Sequence, residues 1–375
     1  MPVSALALGE SKMSMLESLR TTAKVLGKGL AAVLAVFSII SYLVSLALGP
    51  ILFFSTPDGL GVATRTIHQI PVLFFMAFDV PIPAGVSVGT MFLGVWVLFV
   101  VCVVIAWLSR GGFLNSINGV LTKSISFSKT NFLFVMPLAS CALFFATIVI
   151  TQFQATQGVQ TGSLTFPPQT SAYVILLELA FAPLREEFAF RITSIGIPVG
   201  LFLLVLYRND PKVSGVKNSL KLVLLAMFSP EYAKAKLGYR SVAGNGLFRG
   251  ISLLEWILIL ITSMVFGAAH FLLGGGWEIG KVTTAFMAGF VFGIMFVAYG
   301  AYAAVLMHWF FNYYFTVLDM ANSAYGGAFS ALSNLAVLAN YGAGQVVLVV
   351  FLLISAVRLG NYLTARVAGT STVSQ

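Results

Sequence analysis

The chain has 375 residues, of which 59% are hydrophobic and only 9% are charged, and its formal net charge is +9. A soluble domain carries about a quarter charged residues, so a chain this poor in charge cannot cover a water-facing surface of its own size. Composition therefore excludes an ordinary soluble enzyme. The basic excess would suit nucleic acid, but its placement along the chain argues for a membrane topology signal instead.

Apolar runs of about 20 residues, the length that crosses a bilayer, recur along the sequence. Backbone polar groups in hydrocarbon must satisfy one another, so these runs are expected to be helices; a barrel would show shorter, alternating segments. In chain order the expected spans are Leu30–Phe54, Val86–Leu108, Phe132–Phe153, Ala172–Ile192, Ile251–Leu272, Val282–Tyr299, Ala301–Leu318 and Tyr341–Leu359. The expected fold is an all-α polytopic bundle of about eight transmembrane helices with no separate soluble domain. The first run has no small-residue cleavage pattern after it and reads as a retained anchor. Val72–Phe78 is too short to span, and Ile195–Tyr207 either continues the fourth helix or lies outside it, with Pro198 as the expected kink.

Seventeen of the 21 lysines and arginines fall in the N-terminal tail, the connections after the second and fourth helices, and the C-terminal tail. The alternate loops hold only Arg65 and Lys281, and Thr156–Gln169 carries no charge. Basic residues stay on the cytoplasmic side, which predicts a multi-pass cell-membrane protein with both termini in the cytoplasm. The expected regions are a basic tail over 1–29, an N-terminal transmembrane region over 30–170, a catalytic core over 171–318, and an outer loop, last helix and tail over 319–375. Within the connection Tyr207–Arg249, the apolar stretch Leu220–Phe228 beside Lys217 and Lys221 suits a helix lying at the membrane surface. Gly289 and Gly293 form a small-xxx-small pair with a packing role. Cys102 and Cys141 sit inside apolar runs and read as packing residues rather than a disulfide.

Chemistry in such a chain comes from polar residues inside the spans, where burying them is costly. The fourth run contains Arg185, Glu186, Glu187 and Arg191. Glu187 and Arg191 are four apart and share a helix face, which predicts an ion pair. Glu186 points about 100° away, into another wall, and is left free. Phe266 precedes His270 by four, and His308 precedes Asn312 by four, on two further helices. A carboxylate with a neutral imidazole can hold and deprotonate a water. A His–Asn pair can donate hydrogen bonds to the oxyanion of a tetrahedral intermediate. Glu178 could line the same cavity, whereas Glu255 and Asp319 are expected at helix ends, and His68 in an outer loop matches nothing.

The ordered set Glu186-Glu187…Arg191, Phe266…His270 and His308…Asn312, with Ala182-Pro183 and Phe190 around the first motif, resembles the signature of the CPBP family of intramembrane proteases. That family includes CAAX proteases and bacteriocin-processing enzymes. The resemblance covers about Ala172 to Phe315; Ile192 stands where the family often has glycine, and Arg185 where small or apolar residues are common. It implies that Glu186 and His270 activate the hydrolytic water and that His308 and Asn312 hold the oxyanion. It further implies that Glu187 and Arg191 orient the site or contact the substrate's carboxy terminus.

In the family's type II CAAX endoproteases the substrate is a prenylated protein that loses its last three residues, and the site opens to the cytoplasm. The placement of Arg185 and Arg191 towards the cytoplasmic end of the fourth helix agrees with this. The expected partners are membrane lipid and a membrane-associated or lipidated protein substrate, with no nucleic acid. No cofactor is required on this reading, although Glu186, His270 and His308 could offer ligands to zinc. The rival readings are a catalytically silent scaffold or immunity-type factor of the same fold and, further off, a transporter.

Overall fold

The computed structural model describes residues 3–123 and 127–370. Within them the chain forms α1 (Val3–Ser55), a β-hairpin of β1 (Thr66–Phe74) and β2 (Phe78–Ser87), α2 (Val88–Leu108), α3 (Phe132–Thr156) and α4 (Ala172–Glu187). A π-helical segment, Phe188–Gly196, leads into α5 (Ile197–Leu206), followed by α6 (Val216–Phe228), α7 (Leu253–Leu272), α8 (Gly280–Tyr299) and α9 (Ala301–Trp309). A second π-helical segment, Phe310–Tyr314, joins α9 to α10 (Phe315–Tyr325), and α11 (Ala328–Thr370) ends the bundle.

Among the described residues, seven helical stretches are long and apolar enough to cross a membrane. They correspond to all the expected spans but Ala301–Leu318. That stretch is continuous helix from Ala301 to Tyr325, but His308, Asn312 and several tyrosines make it more polar than its neighbours. The fourth span continues through the π-helical segment to Leu206. Pro198 sits at the start of α5, where its missing N–H costs little, and does not end the helix. The expected basic tail over 1–29 is helical from Val3 and runs into the first span, and α11 begins 13 residues before the expected Tyr341. The extreme ends of both tails, 1–2 and 371–375, lie outside the described residues.

Local sequence explains where the helices start. Ser87, Asn131 and Ser171 each accept a backbone N–H from the first turn of α2, α3 and α4. Ser252 and Glu255 form a reciprocal capping box at the start of α7. Gly300, at φ 109°, separates α8 from α9 in a conformation that L side chains avoid. Small residues then set the helix spacing. A Cβ added at Gly293 would stand 3.0 Å from Ile259 Cγ2, and one at Gly267 would stand 2.6 Å from the Val282 carbonyl oxygen, so α7 and α8 meet backbone to backbone.

A Cβ at Gly196 would lie 2.6 Å from Met227 Cα, so α6 lies directly against the π-helical segment and α5. Its Leu220, Leu224 and Phe228 stay exposed, the apolar face expected of a helix at a membrane surface. Glu255 is not interfacial as its position suggested. It is 1% exposed and pairs with the equally buried Lys234 at 2.8 Å, which ties the 207–250 connection to α7. Asp319 is exposed and accepts a hydrogen bond from Ser333 at 2.7 Å. Cys102 and Cys141 are both free thiols.

The hairpin is the main departure from an all-helical chain. Its strands pair antiparallel with Pro71 opposite Pro81, and its turn is closed by Ala77 N–H donating to the Phe74 carbonyl at 3.1 Å. Three prolines and an unbroken apolar stretch hide the alternation that would announce a strand.

Candidate active site

Four elements meet at the site: the end of α4 with its π-helical continuation, the last turns of α7, the first half of α8, and the junction of α9 with the second π-helical segment. Both π-helical segments fall on motif residues, Arg191 in one and Asn312 in the other. Such segments widen a helix locally and commonly occur at functional sites.

Glu187 and Arg191 form the expected pair, with Arg191 Nη1 donating to Glu187 Oε1 at 3.1 Å and both side chains at 0% exposure. Arg191 Nη2 also donates to the Gly289 carbonyl at 3.0 Å, and its guanidinium stacks 4.8 Å from the Phe266 ring centroid. Gly289 therefore has a second role that spacing alone did not reveal. A Cβ there would sit 3.2 Å from Arg191 Nη2, so the bare backbone is what lets the arginine reach the carbonyl.

His308 Nδ1 lies 2.8 Å from Glu187 Oε1, and His308 Nε2 lies 3.7 Å from Glu186 Oε2. The two neighbouring glutamates thus converge on one imidazole, whereas helix geometry alone placed Glu186 in a different wall. Both carboxylates are long enough to reach from adjacent positions to a ring lying between them. Asn312 Nδ2 stands 3.4 Å from His308 Nε2, so it faces the same point as Glu186. Phe292 stacks on the His308 ring at 5.0 Å and Phe266 meets it edge-on at 5.8 Å, which fixes the imidazole plane.

His270 Nδ1 lies 2.8 Å from the Phe266 carbonyl oxygen. A carbonyl only accepts, so Nδ1 carries the proton and Nε2 is left with its lone pair free to take one. Phe266 also packs against this ring, with centroids 4.7 Å apart. Glu186 interacts electrostatically with both His270 and Lys281. Its side chain is 19% exposed while Glu187 is at 0%, so the second glutamate is locked into the fold and the first is partly accessible. Glu186 Oε2 has no hydrogen-bond partner in the described structure.

These positions place the site along the bundle. Arg191 lies 15 residues before Leu206, about 22 Å at the helical rise. It is not near the basic end of its helix, as the shorter span suggested. His270 is two residues from the end of α7, and Lys281 is the second residue of α8. The site therefore lies towards the end of the bundle that carries the hairpin and the 157–171 and 273–279 loops. The sequence places Lys281 in a loop; in the structure it stacks 3.9 Å over Trp277 and interacts with Glu186. Glu178 is exposed and does not line the buried part of the site, and His68 is exposed on β1.

Among the described residues no three His, Cys, Asp or Glu side chains gather as a set that could hold a metal ion.

A family model described as type II CAAX prenyl endopeptidase Rce1-like matches residues 168–314. The matched segment contains every motif residue from Glu186 to Asn312. No curated protein and no solved structure matches the chain.

Proposed function

We infer that this chain, which carries an Rce1-like type II CAAX prenyl endopeptidase domain at residues 168–314, hydrolyses a peptide bond near the membrane with a water activated by Glu186 and His270. The observation that supports this most is the convergence of Glu186 and Glu187 on His308, at 3.7 and 2.8 Å, beside a histidine whose Nε2 is free.

In this reading Glu186 accepts a proton from the water while the His270 Nε2 lone pair orients it or shares that proton. The nascent hydroxide adds to the carbonyl carbon, and the carbonyl oxygen becomes an oxyanion. Asn312 Nδ2 donates to it. His308 donates from Nε2 only when doubly protonated, because its Nδ1–H is spent on Glu187. The buried Glu187 carboxylate is the counter-charge for that imidazolium, and Arg191 holds Glu187 in place. The proton held on Glu186 then passes to the leaving amine. Glu187 and Arg191 act in this scheme as positioning residues.

The substrate class that the family suggests is the C-terminal tripeptide of a prenylated CAAX-type protein. Both termini would lie in the cytoplasm, from the distribution of basic residues, which puts the site towards the opposite membrane face, so the family likeness and not the topology carries this choice of substrate. No metal is required, since the second glutamate is neutralised by an arginine.

The test is cleavage of a farnesylated CAAX peptide by detergent-purified protein, beside Glu186→Gln and His270→Ala variants, with and without a chelator. Cleavage by the native protein alone, insensitive to chelator, is the expected result. Chelator-sensitive cleavage would overturn the metal-free mechanism. Full cleavage by Glu186→Gln would remove Glu186 from its role.

A further inference from the structure

The hairpin tip packs on the π-helical segment that follows Glu186, against Ala189, Phe190 and Thr193, which are three, four and seven residues beyond it. Phe75 N–H donates to Thr193 Oγ1 at 3.0 Å. Leu73 and Met76 fill an apolar pocket formed by Ala189, Phe190, Phe266, Ala269 and Ala285, and this cluster is separate from the main core. Phe74 meets the Phe188 ring edge-on at 5.2 Å. The pocket shares its Phe266 wall with His270 and His308. It is thus the apolar surface next to the water-activating pair, and the chain's own tip fills it.

The tip reaches this pocket at a conformational cost. Phe75 and Met76 hold φ of 46° and 66°, a region that bulky L residues rarely occupy. Asparagine and glycine would be at ease in such a turn. Strained backbone that persists beside a site is held there by its surroundings and points to function. Elsewhere the hairpin is lightly held, with Phe78, Val80 and Ile82 all exposed.

We propose that the pocket of Ala189, Phe190, Phe266, Ala269 and Ala285 is the subsite for an apolar residue of an extended peptide substrate beside the scissile bond, and that the Leu73/Met76 tip is its resident occupant, displaced when substrate enters. The inference rests on the protease reading for the word substrate, but its test does not depend on turnover.

The probes are a fluorescent apolar peptide and its farnesylated counterpart. They are titrated onto Glu186→Gln protein, in a background with Cys102 and Cys141 replaced by alanine. Leu73→Ala with Met76→Ala empties the pocket, so removal of the internal competitor tightens peptide binding by about threefold or more. In the Glu186 protein the same change lowers KM and leaves kcat alone, which loss of a structural prop would not do. Phe74→Cys with Phe188→Cys, bridged by a short reducible bis-thiosulfonate, pins the tip in place. Binding then falls by about tenfold or more and returns on reduction.

Weaker binding by the emptied variant, or unchanged binding by the bridged one, overturns the proposal. If the emptied variant does not fold, the bridged protein decides. A gain confined to the farnesylated probe reassigns the pocket to a lipid chain and overturns the side-chain assignment. Binding that follows the tip in a protein that cleaves nothing defeats the protease reading alone, whereas cleavage without any response to the tip defeats this inference alone.

Discussion

Replacing Arg191 by methionine tests the physical basis of the site. Methionine keeps the volume but removes the guanidinium, which is 0% exposed and bonds Glu187 Oε1 at 3.1 Å and the Gly289 carbonyl at 3.0 Å. Breaking a buried ion pair by deleting one partner costs about 3–5 kcal/mol, because the other charge stays buried without compensation. The Gly289 carbonyl loses its donor, about 1–3 kcal/mol in an isolated case. His308, still 2.8 Å from Glu187, offsets part of this, so the expected net loss is about 3–5 kcal/mol. At about 2 °C per kcal/mol for a larger domain, the melting temperature of the purified protein drops by roughly 5–10 °C. The double variant Glu187→Gln/Arg191→Met removes both charges and recovers at least about half of that loss, although it stays inactive. Thermal unfolding in detergent, read by tryptophan fluorescence and by loss of the monodisperse peak, measures all four corners of the cycle. A loss below about 1 kcal/mol for Arg191→Met, or a double variant as unstable as the single one, would refute the ion-pair argument.

Glu186→Gln is expected to lower cleavage by about 10²–10⁴-fold with little change in melting temperature, because a carboxylate that acts as a base contributes chemistry rather than cohesion. The matched rate and stability measurements check that separation. His270→Ala is expected to slow cleavage to a similar degree, about 10²-fold or more, and added imidazole restores part of the rate if the free Nε2 is what matters. Gly289→Val should unseat Arg191, since its Cβ would stand 3.1 Å from Phe266 Cδ1 and 3.2 Å from Arg191 Nη2. The expected cost is about 1–3 kcal/mol together with lost activity, read by melting temperature and cleavage rate. Thr193→Val removes the acceptor for Phe75 N–H and leaves the protein folded, at a local cost of about 1 kcal/mol. Amide exchange at the hairpin tip then accelerates while exchange in α7 and α8 does not.

The sequence by itself determined the class of this protein and singled out the residues of its candidate site. Apolar runs long enough to cross a bilayer admit few structures but helices, because unpaired backbone groups cannot remain in hydrocarbon. Charged and imidazole side chains inside such runs are rare, so Glu186, Glu187, Arg191, His270 and His308 stood out as chemistry before any fold was known. The Glu187–Arg191 pair followed from four-residue spacing, which local helix geometry fixes.

Only the tertiary structure decided what depends on neighbouring elements. Helix periodicity sent Glu186 and Glu187 to different walls, but the His308 ring from another helix stands between them, 2.8 Å from Glu187 Oε1 and 3.7 Å from Glu186 Oε2. Gly289 read as a packing residue, and only its position opposite Arg191 made its carbonyl an anchor. The fourth helix runs on past Pro198 because α6 docks on Gly196 and Gly200 and supports it, which moves the site away from the basic end. The hairpin was invisible because its prolines and apolar stretch carry no strand periodicity. Its strained turn is held by Thr193, Phe188 and the pocket beside Phe266, contacts that sit more than 100 residues away in sequence. Spacing along one helix is encoded locally, whereas the meeting of side chains from separate helices exists only once the bundle has packed.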